Sequence, residues 1–69
     1  MNAVEKELES RKTEIQDKVL AIFKVNMKIT DWDVPEADDN LAAKILVQIM
    51  QESLDQIKED VQAGKYDNY

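Results

Sequence analysis

The stretch from Val19 to Ile29, VLAIFKVNMKI, constrains this chain more than any other, because Lys24, Asn26 and Lys28 are its only polar residues. A segment so apolar cannot lie uncovered on a small protein without leaving a contiguous greasy patch. A second tract, Leu41 to Met50, is interrupted only by Lys44 and Gln48 and makes the same demand. Both must find cover within 69 residues. A domain of that size buries only about 60% of its unfolded surface and is usually held by disulfides, a metal or a partner chain. The chain has no Cys and no His, so thiolate and imidazole metal sites and disulfides are excluded. A partner chain is the remaining source of stability.

Periodicity divides the chain into helix, short strand and helix. Val4, Leu8, Ile15, Val19 and Ile22 follow the spacing of one helical face, which predicts a helix over about 3–22. Glu7 with Arg11 and Glu14 with Lys18 form i,i+4 pairs in the favourable order. From Phe23 the pattern changes. Phe23, Val25, Met27 and Ile29 alternate with Lys24, Asn26, Lys28 and Thr30, the period of two expected of a half-buried strand over about 23–30. A lone strand cannot satisfy its own backbone, so its expected partner is the same strand of a second chain. The alternative is an all-α hairpin in which Leu8, Ile15, Ile22 and Ile29 share one seam and two hairpins form a four-helix bundle. Both readings give a mainly α homodimer with an interface through Ile22, Phe23, Val25, Met27, Ile29, Val47 and Met50.

Between the tracts lies an acidic turn, placed at about 30–36. Asp33 followed by Glu36 matches a capping box, Pro35 suits a first helical turn, and Trp32 is either a hydrophobic staple over the helix start or an exposed anchor. Asp38, Asp39 and Asn40 offer a second, later cap. The next helix is expected over about 35–63, ending at Gly64, with a frayed tail over 64–69. The whole chain reads as a single domain.

Fifteen acids against nine bases give a net charge of −6, which excludes direct binding to nucleic acid for want of a basic stripe. No apolar run is long enough to cross a bilayer, and the segment MNAVEKELES is too acidic for a signal peptide, so the expected location is the cytoplasm. The missing Cys and His also remove the common nucleophile systems, and no Gly-rich phosphate loop is present, so no enzyme and no cofactor is expected. Asp31 to Glu36 fails as a calcium loop because Glu36 stands where a Gly is needed and Ala42 where a bidentate Glu is needed. Asp39-Asn40-Leu41 resembles the Asp-Ser-Leu motif of acyl carrier proteins, yet Asn40 cannot carry a phosphopantetheine.

The acids themselves form the remaining candidate site: Asp31, Asp33, Glu36, Asp38 and Asp39, with Trp32 among them. In charge and size the chain resembles the small acidic proteins with which phages block host DNA-binding proteins. That resemblance implies an inhibitor that engages a basic partner, such as a nucleic-acid-binding protein, by imitating the charge rows of a duplex. A structural or assembly adaptor that docks through apolar surface is the alternative. Solubility and helix capping account for the same acids without any partner.

Overall fold

The computed structural model describes residues 2–69 and is all-helical, without a strand among the described residues. Helix α1 spans Ala3–Ser10, α2 spans Lys12–Asp33 and α3 spans Asp39–Gln62. Asn2 opens α1 with a reciprocal cap: the Glu5 N–H donates to Asn2 Oδ1 at 2.9 Å, and Asn2 Nδ2 donates to Glu5 Oε1 at 3.0 Å. Between α1 and α2 the helix is bent rather than ended. Ser10 Oγ donates to the Glu7 carbonyl at 2.7 Å, and Arg11 N–H reaches back to Leu8 at 3.1 Å, so one turn tightens before Ile15 N–H resumes the ladder to Arg11. The bend also reassigns an ion pair. Arg11 meets Glu14 at 3.4 Å, while Lys18 meets Glu14 at 3.1 Å as the spacing predicts.

The expected strand over 23–30 is the main correction. These residues continue α2, and the covered stripe is Phe23, Asn26, Met27 and Thr30, spaced as one helical face. Asn26 and Thr30 are polar but satisfied by their own helix: Asn26 Nδ2 donates to the Ile22 carbonyl and Thr30 Oγ1 to the Asn26 carbonyl, each at 2.8 Å. Val25 and Ile29, which a strand would place beside Phe23 and Met27, are about half exposed on other faces of α2. With no strand, there is no strand to pair across a dimer. The all-α hairpin of the alternative reading is observed, but its covered stripe runs through Phe23 and Met27, while Leu8, Ile15, Ile22 and Ile29, expected to share the seam, are exposed.

Pro35 acts differently from its sequence reading. It stops α2 instead of starting α3, because a residue before proline is held out of the α region, and Val34 is extended at φ −130° and ψ 82°. Pro35 then occupies the second position of a β-turn closed by Ala37 N–H to the Val34 carbonyl at 2.9 Å. Asp33 is the last residue of α2, so it forms no capping box with Glu36. The cap belongs to Asp38, whose Oδ1 accepts from Asn40 N–H at 3.0 Å and Leu41 N–H at 3.2 Å.

Helix α3 packs on α2 near this turn through Ala42, Ala43, Leu46 and Met50, the two alanines permitting close approach. At its far end, Gly64 at φ +84° closes a Schellman motif: Gly64 N–H bonds Val61 and Lys65 N–H bonds Asp60, both at 3.1 Å. The tail turns back, with Tyr66 and Tyr69 edge to face at 5.6 Å between ring centres.

No described residue is buried. The chain measures 49 × 27 × 17 Å with a radius of gyration of 16.0 Å, against about 11 Å for a compact chain of this length. No helix among the described residues is long and apolar enough to cross a membrane.

Two substitutions test this fold at fixed protein concentration by thermal melting followed with circular dichroism. Asn26→Leu is expected to raise the melting temperature, because position 26 lies on the covered helical stripe; a strand would put the leucine in water. Gly64→Ala is expected to cost about 1 kcal/mol, the penalty of a Cβ in the left-handed region.

Candidate functional site

Two surfaces stand out, an acidic end and an apolar cleft. The acidic end is built by the turn and the helix termini that meet there. Asp31, Trp32 and Asp33 form the last turn of α2, Glu36 lies in the β-turn, Asp38 caps α3 and Asp39 opens it. All six are exposed. Trp32 is 85% exposed and staples nothing, which leaves the other reading of that residue, an uncovered aromatic among carboxylates.

The electrostatics of the two helix termini differ. Asp38 and Asp39 sit at the positive end of the α3 dipole, where a carboxylate is favoured. Asp31 and Asp33 sit at the negative end of α2, whose last turn holds no base. Asp31 also faces Asp39 across the turn. A hydrogen bond shared with Asp39, some loss of solvent and the repulsion between the two charges hold the Asp31 carboxyl above its ordinary value. The three ion pairs among the described residues all lie elsewhere, on Glu14 and Asp60. Hydrogen bonds from Lys18 and then Arg11 lower the pKa of Glu14, and bonds from Lys65 and then Gln56 lower that of Asp60.

The apolar cleft lies between α2 and α3, away from the turn. It measures about 250 Å³ and is lined by Val19, Ile22, Met50, Ser53, Leu54 and Ile57. Of the residues expected at a dimer interface, Phe23, Met27 and Met50 are half-buried on the hairpin's own seam. Ile22 and Met50 line the cleft, while Val25, Ile29 and Val47 lie exposed on other faces. Val19, Leu54 and Ile57 were not singled out as interface positions by sequence. Their signal was the narrow stripe Leu54, Ile57, Val61, which asks for one neighbour that α2 does not supply at that distance from the turn.

A second hollow of about 380 Å³ follows the bend between α1 and α2, lined by Glu5, Leu8, Glu9, Lys12, Ile15 and Gln16. Its walls come from both α1 and α2 and its rim is charged, but no catalytic groups converge on it. No cluster of three or more acidic side chains among the described residues is arranged to hold a metal ion. Compared with known protein families, curated proteins and solved structures, the chain matches none of them.

The raised Asp31 carboxyl carries a sign for stability. A carboxyl whose pKa is raised on folding contributes stability that is full below its unfolded value, near 3.8, and lost as pH climbs through the folded value. Glu14 and Asp60 act in the opposite sense, losing their contribution as pH falls. Asp31→Asn is therefore expected to raise the melting temperature at neutral pH and to change it little below pH 3.8, as read by melts across a pH series.

Proposed function

We propose that the chain is a non-catalytic binding protein of the cytoplasm whose acidic end engages a basic surface on another protein. The sharpest form of this reading is an inhibitor that occupies the groove of a DNA-binding protein by charge mimicry. One observation carries it: Asp31 and Asp33 stand unneutralised at the unfavourable end of α2, with Asp31 against Asp39 and Trp32 exposed between them. Places where a sequence accepts a local electrostatic cost are where function is expected to reside. Asp38 is explained by capping and Asp39 by the α3 dipole, whereas neither capping nor a helix dipole accounts for Asp31 and Asp33.

The chemistry of the surface fits a duplex-like role. Five carboxylates lie within the nine residues from Asp31 to Asp39, and DNA carries one charge per about 1.7 Å of axis. An exposed tryptophan adds an apolar anchor of the kind that dominates protein interfaces. The net charge of −6 sets the chain against nucleic acid itself.

A second reading rests on the cleft at Val19, Ile22, Leu54 and Ile57, which suits an adaptor that docks an apolar segment of another protein. The two readings separate by salt. The test titrates the chain into a panel of basic DNA-binding proteins held on a labelled duplex. Mimicry is expected to release the duplex, to weaken as salt rises from about 50 to about 200 mM, and to be lost in Asp33→Lys/Glu36→Lys. These positions spare Asp38, whose loss would also cost about 1 kcal/mol of helix cap. Release that is unchanged by salt and by the double reversal overturns the mimicry reading. An adaptor would bind its client at high salt and fail on Leu54→Asp.

A further inference from the structure

We infer that the apolar cleft is filled by a second copy of this chain, laid turn to tail, so that each hairpin's tight end covers the other's open end. The inference is independent of what the acidic end binds.

Surface area identifies the occupant. A compact body of 8.0 kDa exposes about 4,450 Å², and this chain exposes 6184 Å². A compact body of twice the mass exposes about 7,400 Å². Two copies that reach that value bury about 5,000 Å² between them, an interface of obligate homodimer size. A peptide or a flat docking surface would cover the cleft and leave most of the excess in water. The apolar residues are distributed accordingly: Val25, Ile29, Ile45 and Ile49 are exposed near the turn, and Val19, Ile22, Leu54 and Ile57 are exposed toward the open end. No single small partner reaches both sets.

Charge selects the orientation. From Arg11 to Lys28 the chain has five bases and two acids, while from Glu52 to Asp60 it has four acids and one base. Lys24 and Lys28 lie on α2 near the turn, and no ion pair among the described residues uses either of them. With both turns at the same end, Lys24 and Lys28 would meet their own copies, and two sets of five turn acids would crowd together. Turn to tail, Lys24 and Lys28 of one copy come level with Glu52, Asp55 and Glu59 of the other. The acidic turns then stand apart by at least the length of α2, about 33 Å. The same arrangement leaves both acidic ends free.

The experiment has two arms on the intact chain. Light scattering at micromolar concentration is expected to give twice the 8.0 kDa chain mass, and a well-folded monomer overturns the inference. The orientation is read from Glu36→Cys, a clean label site because the chain has no other cysteine. Nitroxide labels there are expected to lie more than about 33 Å apart by dipolar spectroscopy, and a short distance in a dimer overturns the turn-to-tail arrangement. Lys24→Glu/Lys28→Glu is expected to raise the dimer dissociation constant about tenfold, and adding Asp55→Lys/Glu59→Lys to recover most of it. A double variant as tight as the parent overturns the charge pairing even where the mass is that of a dimer.

Discussion

Two helices that meet along one stripe can cover only that stripe, and this chain carries apolar residues on more of each helix than a single contact reaches. The seam of Phe23 and Met27 against Leu46 and Met50 is what makes the chain a hairpin. Everything beyond it follows from what the seam leaves uncovered. Near the turn, Ala42 and Ala43 draw the helices together; farther away, Val19, Ile22, Leu54 and Ile57 line a gap. Helical propensity alone does not hold such an arrangement in water, since most helical stability in proteins comes from packing of the apolar face. The uncovered surface is therefore part of the structure's energetics as well as a place for binding.

The polar end obeys a different constraint. Its carboxylates are set by where the helices stop, and Pro35 and Asp38 decide that. Because α2 runs to Asp33 rather than ending before Phe23, Asp31 and Asp33 become helix-terminal residues at the wrong end of a dipole. Glu14 and Asp60, by contrast, each gather a lysine and a second donor, Arg11 and Gln56 respectively. None of the acids near the turn shares in the ion pairs of the described residues, and Asp31 meets a like charge, Asp39, across it.

Much of this was legible from residue spacing: the two long amphipathic segments, Asp38 as a later cap, the glycine that ends α3, and the turn between two apolar tracts. The failure at 23–30 has a definite cause. Alternation of Phe23, Val25, Met27 and Ile29 assumed that Asn26 and Thr30 must face water, yet each hydrogen-bonds a carbonyl of its own helix and so tolerates the covered side. β-branched Val25 and Ile29 favour a strand by only a few tenths of a kcal/mol, less than continuing a helix already formed. Pro35 carried two meanings, a helix start and a helix stop, and only the conformation of Val34 separates them. Trp32 was open between staple and anchor because its face depends on where α2 ends. The cleft was only half legible, since the stripe of Leu54, Ile57 and Val61 asks for a neighbour while neither helix's periodicity says where that neighbour falls short.

The self-contained bonding of Asn26 and Thr30 has a mechanical side. Beyond the contact of Asp31 with Asp39 at the turn, no hydrogen bond or ion pair among the described residues ties α2 to α3; the side-chain bonds of both helices run to near neighbours in sequence. No directional bond sets the angle between the two arms, so that angle is left to the packing of Phe23 and Met27 against Leu46 and Met50, whose shapes alone decide it.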